Sequence, residues 1–280
     1  MKTIRNISEL KKVIRKWKIS KRTIGFVPTM GALHEGHLSL VRKARKETDK
    51  VIVSIFVNPM QFSPHEDLKK YPRPFAKDKE LCKQAGADII FSPPPDGIYP
   101  EGFKTFINMK GLPEVLCGHS RPGHFSGVMT VVAKLFNITE PDIAYFGLKD
   151  FQQLAIIKQM VRDLNMAVSI KAMPIIREKD GLAMSSRNQY LTPDLRIQAT
   201  CLYKALTQAR DWVKKGECSS SKVISQMKAI IKKVKEARID YVTIVDRNTL
   251  QAIPRIQKGK SLIVLAVFIG KTRLIDNMQL

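Results

Sequence analysis

Apolar runs and amphipathic stretches alternate along the first two thirds of the chain. An apolar run at 23–27 is followed by apolar positions at helical spacing through about residue 46, and a second apolar run occupies 51–57. This pattern predicts a βαβ unit with parallel strands. Further strands are predicted at 88–91, 142–146 and 169–175. The alternation as a whole predicts an α/β fold built on a parallel sheet.

The pattern changes after Asn188. Two Lys-rich amphipathic stretches, about 193–215 and 220–237, predict helices, and apolar runs near 240–246 and 261–269 predict strands. This part of the chain is expected to form a smaller α+β domain.

The lengths of the apolar runs and the pattern at the N-terminus also bear on the cellular location of the protein. The longest, Leu262–Gly270, is far shorter than the about 20 residues that a transmembrane helix needs. At the N-terminus, Ser8 is expected to cap a short amphipathic helix, and no signal-peptide pattern is present. The sequence therefore predicts a cytoplasmic protein without a membrane partner.

Charge is the unusual feature of the composition. The 280 residues include 48 Lys and Arg against 25 Asp and Glu, a formal net charge of +23. Such a balance raises the possibility of nucleic-acid binding. The lysines, however, are spread over helix faces, as at 228–235, and aromatic residues that could stack on bases do not interleave with them. We expect a solvated surface that attracts anionic substrates and no nucleic-acid partner, with an RNA-binding module as the non-enzyme alternative.

The motif His34-Glu35-Gly36-His37 stands where the first predicted strand meets its helix. Helix N-termini attract phosphate through unpaired N–H groups and the helix dipole. With a spacing of three residues the two imidazoles share one helical face, and Gly36 leaves the backbone accessible. Zinc proteases use a different spacing, His-Glu-x-x-His. A simple surface histidine pair is the remaining alternative.

Other loops carry polar residues to the same predicted edge of the sheet. Gln61 follows the strand at 51–57, and Gly147-Leu148-Lys149-Asp150 with Gln153 follows the strand at 142–146. Ligands of open α/β sheets bind at this edge. The amides suit a small polar acid, Lys149 suits a phosphate, and Asp150 suits a ribose or orients the lysine.

The stretch from Arg177 to Asn188 offers glycine, hydroxyl and guanidinium groups between a strand and a helix. Such a loop can close over phosphates. Its Ser-Ser-Arg composition is also common in helix caps.

Taken together, these motifs identify a resemblance to the pantoate:beta-alanine ligase family, related to class I aminoacyl-tRNA synthetases and nucleotidyltransferases with the His-x-Gly-His signature. The resemblance covers nearly the whole chain. It rests on the segments 28–40, 56–62, 71–73, 121–125, 146–153, 180–188 and 240–246.

The resemblance implies a Rossmann-like domain at 1–175, with helices on both faces of its sheet, and a smaller lid domain at 176–280. It further implies a homodimer that uses ATP with Mg²⁺. In this family, the carboxylate of pantoate attacks the α-phosphorus of ATP and pyrophosphate leaves. Beta-alanine then attacks the pantoyl adenylate, which releases AMP and pantothenate.

The resemblance also assigns roles by motif position. His34, His37 and Lys149 would be catalytic, with His37 as proton donor, and Gln61 and Gln153 would bind pantoate. The ATP-binding residues would be Met30, His34, His37, Gly147, Lys149, Asp150, Ile176, Met184, Ser185, Ser186 and Arg187.

The metal ligands are not identified, although Asp78 is a candidate outer ligand for Mg²⁺. The chain departs from the family pattern at Ser126, Leu148 and His119. A nucleotidyltransferase, which would share the His motif but not require beta-alanine, is the alternative enzyme.

Overall fold

The computed structural model describes residues 1–64 and 66–280, which form two compact units. The N-terminal unit consists of residues 1–113, 121–148 and 153–174. The C-terminal unit consists of residues 175–280 together with two short earlier segments, 114–120 and 149–152. These two segments fall within the domain that the sequence predicts at 1–175.

In the described part of the N-terminal unit, a six-stranded sheet has its strands in the order β1-β4-β3-β2-β5-β6, and every neighbouring pair is parallel. The strands are β1 (Lys2–Ile4), β2 (Ile24–Thr29), β3 (Lys50–Ile55), β4 (Ile89–Phe91), β5 (Ile143–Gly147) and β6 (Ser169–Met173).

Helices connect these strands. They are α1 (Ile7–Ile19), α2 (Glu35–Glu47), α3 (Phe75–Gln84), α4 (Pro95–Ile98), α6 (His124–Thr139) and α7 (Phe151–Asp163); a short helix, α5 (Cys117–Ser120), belongs to the C-terminal unit. One core of this unit lies between the apolar face of α2 and the sheet, where Val41 and Val53 are fully buried. The predicted βαβ unit is β2-α2-β3.

In the described C-terminal unit, β7 (Ala237–Asp246), β8 (Ser261–Ile269) and β9 (Thr272–Gln279) form an antiparallel sheet with β8 in the centre. Three helices accompany the sheet: α8 (Pro193–Ala199), α9 (Cys201–Lys214) and α10 (Ser220–Lys232). Leu206 of α9 and Met227 of α10 are buried in one core with Leu265 of β8. The predicted fold class, a parallel α/β sheet with a smaller α+β part, is confirmed.

Several boundaries differ from the prediction. The helix at the N-terminus is capped by Asn6, whose side chain accepts the N–H groups of Ser8 and Glu9, so the assignment of Ser8 as the cap was wrong. The helix predicted at 193–215 is two helices that meet at Thr200. The strands β1 and β9 were missed, because β1 has only three residues and the polar and apolar residues of β9 mostly come in pairs instead of alternating.

Within the described residues, no helix combines the length and apolar character needed to span a membrane.

The end of α2 is held to the sheet by Glu47. Its carboxylate pairs with Lys43 (2.8 Å) and with Lys171 of β6, and it accepts a hydrogen bond from the hydroxyl of Tyr145 of β5 (3.0 Å). The hydrogen bonds from the two lysines lower the pKa of Glu47 to about 2. Three partners from different elements thus depend on one charged carboxylate.

We predict that Glu47→Gln lowers the free energy of unfolding by about 1–3 kcal/mol at pH 7, since it removes the charge that these donors share. The folded-state pKa lies below the unfolded one, so this stabilisation is complete above about pH 4.5 and declines as the pH falls towards 2. Urea unfolding from pH 7 to pH 3 measures the gap between wild type and variant, which should narrow on acidification. The exposed helix residue Glu80 supplies the control, Glu80→Gln. A gap that stays constant down to pH 3 would contradict the assignment.

Candidate active site

The strand order places a topological switch point between β2 and β5. The chain runs from β2 to β3 and β4 on one side, whereas β5 and β6 lie on the other. Loops that leave neighbouring strands in opposite directions open a crevice at the carboxyl ends of the strands. The His motif leaves β2 here, and Gly147 is the last residue of β5.

His34 and His37 form the first turn of α2. His34 is the N-cap, and its Nδ1 accepts the N–H of Gly36 (3.1 Å). His37 is the third helical residue, and its Nδ1 accepts the N–H of His34 in a long 3.4 Å bond. This arrangement is a capping box in which imidazoles replace the usual hydroxyl and carboxylate. The ring centroids are 4.1 Å apart.

The capping bonds determine how these imidazoles can act. A ring whose Nδ1 accepts an N–H bond carries the proton of its neutral form on Nε2. Each ring is therefore set up to donate from Nε2. The sequence-based expectation of unpaired N–H groups at this helix end was wrong in part, since Gly36 donates to the His34 ring and His37 N–H donates to the carbonyl of His34 (2.8 Å).

Asp78 fixes the turn that leads into the motif. Its two carboxylate oxygens accept the N–H groups of Ala32 and Leu33, each at 2.8 Å, and the residue is 1% exposed. Burial raises its pKa, and the two backbone donors oppose that rise. Gly31 (φ +82°) and Ala32 (φ +50°) both adopt the left-handed conformation in this turn. Both oxygens of Asp78 accept hydrogen bonds from these amides, so the side chain stabilises the backbone of the turn. The structure gives no support to the prediction of Asp78 as an outer metal ligand.

Gln61 lies in a short turn, Pro59–Gln61, after β3. Its amide nitrogen is 2.8 Å from the sulfur of Met30, and its amide oxygen accepts a bond from Asn58 (3.2 Å). Asn58 is itself buried, donating to the carbonyl of Gly127 (3.1 Å) and accepting from the hydroxyl of Tyr99 (2.8 Å). The structure thus brings the predicted residues Gln61 and Met30 into contact.

A second group holds the backbone of the same turn. The carbonyl of Gln61 accepts bonds from His124 Nδ1 (2.8 Å) and Arg121 (3.2 Å). Arg121 also forms a two-point ion pair with Glu66 (2.6 and 2.7 Å). Arg121 and His124 belong to a motif that carried the family resemblance, and their place beside Gln61 was not predicted.

Gln153 is half-buried in the first turn of α7, which follows β5. The predicted residues that remain to be described belong to the C-terminal unit.

In the C-terminal unit, residues 176–184 form a tight hairpin. Its backbone bonds join Met184 N–H to the carbonyl of Ile176 (3.0 Å) and Glu178 N–H to the carbonyl of Leu182 (2.9 Å). A short helix, Ser186–Tyr190, follows, and the Ser185 hydroxyl caps it by accepting the N–H of Arg187 (3.2 Å). The capping alternative for Ser-Ser-Arg is therefore realised at Ser185, while the side chain of Arg187 is half-buried.

Lys149 and Asp150 lie in a short helical turn, Leu148–Asp150. The side chain of Lys149 is mostly buried, and its ammonium lies 3.7 Å from the carboxylate of Asp150, whose side chain is about half exposed. The carbonyl of Lys149 accepts a bond from the side chain of Asn277 (2.9 Å).

The fold and these side chains define an α/β enzyme whose polar groups suit an anionic substrate. The family profile described as Pantoate-beta-alanine ligase matches residues 2–279. The pantothenate synthetase of Caldicellulosiruptor saccharolyticus is 54% identical over 278 residues, which are 99% of this chain and 99% of that protein. That of Ruminiclostridium cellulolyticum is 55% identical over 279 residues, 100% of this chain and 99% of the relative.

Comparison with solved structures points to the same family as the sequence comparisons. The pantothenate synthetase of Thermus thermophilus has a TM-score of 0.95 at 42% identity, covering 100% of this chain and 99% of that one. The Francisella tularensis pantoate-beta-alanine ligase, complexed with beta-gamma ATP and beta-alanine, has a TM-score of 0.82 at 37% identity, covering 100% and 97%. The chain belongs to the pantoate-beta-alanine ligase family. It is therefore a ligase that joins pantoate to beta-alanine.

We predict that Gly127→Ala displaces the turn that carries Gln61. A Cβ at Gly127 would lie 2.2 Å from the carbonyl oxygen of Met60 and 2.8 Å from Gln61 N, so backbone must move. Forcing this shift should lower the free energy of unfolding by about 1–3 kcal/mol and raise the KM for the acid substrate. Gly97→Ala, whose Cβ would meet only proline side-chain atoms at 3.3 Å or more, is the matched control. Denaturant unfolding and substrate titration measure both effects, and wild-type values for Gly127→Ala would refute them.

Proposed function

We propose that this ligase works in two steps through a pantoyl adenylate. A carboxylate oxygen of pantoate bonds to the α-phosphorus of ATP, the bond from that phosphorus to the bridging oxygen breaks, and pyrophosphate leaves. The amine of beta-alanine then bonds to the acyl carbon and loses a proton, and AMP leaves with the carboxyl oxygen. The observation that carries this proposal is the capped pair of imidazoles, His34 and His37, at the switch point of the sheet.

His34 and His37 supply fixed hydrogen-bond donors to phosphate oxygens. Their Nδ1 atoms are engaged with backbone N–H groups, so Nε2 is the atom that donates. Donors held in place before the reaction stabilise charge that develops on the transferring group, with no reorganisation during the step. His37 is also the proposed proton donor. Met30 would lie against the nucleotide.

Binding of the nucleotide is further proposed for residues of the C-terminal unit and for Gly147. Lys149 would neutralise phosphate charge, and Ser185, Ser186 and Arg187 would bind the triphosphate through hydroxyls and a guanidinium. Asp150 and Gly147 would contact the ribose side. Ile176 and Met184 would meet the adenine at the base of the hairpin, where their backbones are joined.

Gln61 and Gln153 are proposed to bind pantoate. Neutral amides can hold a hydroxylated acid while its carboxylate stays free to attack phosphorus, whereas a cationic clamp would reduce its nucleophilicity. The Gln61 amide already donates to the sulfur of Met30 and accepts a hydrogen bond from Asn58. Pantoate would therefore replace or extend a polar network that is oriented in advance.

Mg²⁺ is proposed only as a companion of ATP. Among the described residues, no group of three or more His, Cys, Asp or Glu side chains could hold a metal ion. Mg²⁺ commonly binds through substrate phosphates with few protein ligands, so the described donor set does not form a dedicated metal site. The homodimer that the resemblance implies and the cytoplasmic location that the sequence predicts stay predictions.

Pantoate-dependent exchange of labelled pyrophosphate into ATP, measured without beta-alanine, tests the adenylate. We expect exchange only when pantoate is present, and pantothenate only when beta-alanine is added. Exchange independent of pantoate, or turnover without beta-alanine, would favour a nucleotidyltransferase.

We predict that His34→Ala and His37→Ala each reduce the exchange rate about 100-fold or more, because a fixed donor to the developing charge is lost. Each substitution also removes a helix cap. His34→Asn separates the two roles, since asparagine is a good N-cap that cannot supply the Nε2 donor. Thermal unfolding should place His34→Asn near wild type while its exchange rate stays low. Near-normal exchange in this folded variant would reduce His34 to a capping role.

We predict that Gln61→Ala and Gln153→Ala raise the KM for pantoate by the equivalent of roughly 1–3 kcal/mol, through lost or unpaired hydrogen bonds. The KM for ATP should change little. Gln159→Ala, which removes an amide bonded to Asp163 farther along α7, is the control. Kinetic titration of both substrates measures the two KM values. A raised KM for ATP with an unchanged KM for pantoate would assign these glutamines to the nucleotide.

A further inference from the structure

Two polar residues are buried side by side on β9, the last strand of the C-terminal unit. Asp276 is 3% exposed and Asn277 is 6% exposed. They pair with β8, whose residues from Ser261 to Val267 are all buried. An Asp-Asn pair in such a sheet is costly to bury unless its bonds are specific.

Asn277 reaches the backbone of Lys149. Its amide nitrogen donates to the carbonyl oxygen of Lys149 at 2.9 Å, across 128 residues of sequence. This bond joins the short segment 149–152 to β9 within the C-terminal unit. It fixes the residue from which the proposed phosphate-binding ammonium extends.

Asp276 holds the hairpin of residues 176–184 through Arg177. Its two oxygens accept bonds from the Arg177 guanidinium (2.6 and 2.9 Å), and one of them also accepts the N–H of Asn277 (2.7 Å). Arg177 donates in turn to the carbonyl of Gly181 at the hairpin tip (3.0 Å) and stacks 4.5 Å from the ring centroid of Tyr203. The hairpin leads directly into Ser185-Ser186-Arg187.

Stability alone does not account for these contacts. Burial raises the pKa of Asp276 and Arg177 opposes the rise, so the pair is bonded against a desolvation cost. Replacing a buried ion pair by apolar side chains is often neutral or stabilising. What polar side chains add is a fixed geometry for the groups they hold.

We propose that Asp276 and Asn277 are positioning residues of the ligase reaction: Asn277 orients Lys149, and Asp276, through Arg177, orients the hairpin that presents Ser185, Ser186 and Arg187. The inference rests on the proposed function of these groups in binding ATP phosphates. Neither residue touches the substrate in this scheme.

Asn277→Leu tests the first half. It removes the donor to Lys149 while keeping an apolar volume in the sheet. We expect kcat/KM for ATP to fall about 10- to 100-fold, as misplaced catalytic groups do, with the KM for pantoate little changed. Gln279→Leu is the matched control, because Gln279 is an amide on the same strand that donates to another carbonyl, that of Gly259 (3.3 Å).

A double-mutant cycle separates positioning from general destabilisation. If Asn277 acts through Lys149, adding Asn277→Leu to Lys149→Met should cost less than about 3-fold more activity. The proposal would be overturned if the activity losses of Asn277→Leu and Lys149→Met multiplied in the double variant. It would also be overturned if Gln279→Leu lost as much activity as Asn277→Leu. All assays are run below the unfolding transition of each variant.

Asp276→Asn tests the second half, with Asp180→Asn as control. Asp180 also forms a two-point pair on this hairpin, with Arg196, but its carboxylate is 45% exposed. Of these two substitutions, only Asp276→Asn should weaken the binding of ATP. Should that variant fail to fold, Arg177→Met/Asp276→Leu removes both charges, and we expect it to fold with the same ATP defect. Wild-type ATP kinetics in either folded variant would contradict the role.

Binding of a non-hydrolysable ATP analogue, followed by calorimetry, distinguishes failure of the inference from failure of the proposed function. If wild type binds the analogue but shows no pantoate-dependent exchange, the proposed function fails while the Asn277 and Asp276 variants still report on positioning. Equal analogue affinity in wild type, Asn277→Leu and Asp276→Asn would overturn the inference alone.

Discussion

The two hydrogen bonds that Asp78 accepts from the N–H groups of Ala32 and Leu33 are the constraint on which the positions of His34 and His37 depend. Strand β2 ends at Thr29 and helix α2 begins at Glu35, so only five residues turn the chain. Two of them, Gly31 and Ala32, take left-handed conformations, which cost energy for a residue with a side chain. A buried carboxylate bonded to two consecutive amides offsets that cost and determines where His34 starts the helix.

The capping box then couples local folding to chemistry. The same two imidazoles begin α2 through Nδ1, which places the proton of each neutral ring on Nε2, so helix formation selects the tautomer. Gln61 is controlled in a comparable way, since Asn58 and Met30 engage its amide while His124 and Arg121 engage its carbonyl. In both places, backbone or neighbouring polar groups fix a side chain before substrate arrives. Reactions that proceed without a protein nucleophile rely on such fixed positions.

The sequence was informative wherever a signal was local. Hydrophobic periodicity predicted β2, α2 and β3, and the motif spacing predicted a histidine pair at their junction. Short or edge elements such as β1 were missed, because three residues carry too little pattern. The true cap, Asn6, lies two residues before the one chosen, a typical boundary error. Partnerships across long sequence separations, such as Asp78 with Ala32 or Asn277 with Lys149, follow from the topology and are invisible to a local pattern.

The Asp-Asn pair on β9 shows what a closer reading of pattern could have found. Within Leu274-Ile275-Asp276-Asn277-Met278, two consecutive polar residues stand between apolar residues, and side chains of consecutive strand residues point to opposite faces. At least one of them must therefore enter an apolar environment, where it requires a specific partner. A pair of adjacent polar residues between apolar strand residues is thus a signal of its own, although it identifies only that a partner exists. In this chain the partners are Arg177 and the backbone of Lys149, the same two segments in which the resemblance locates the phosphate-binding groups.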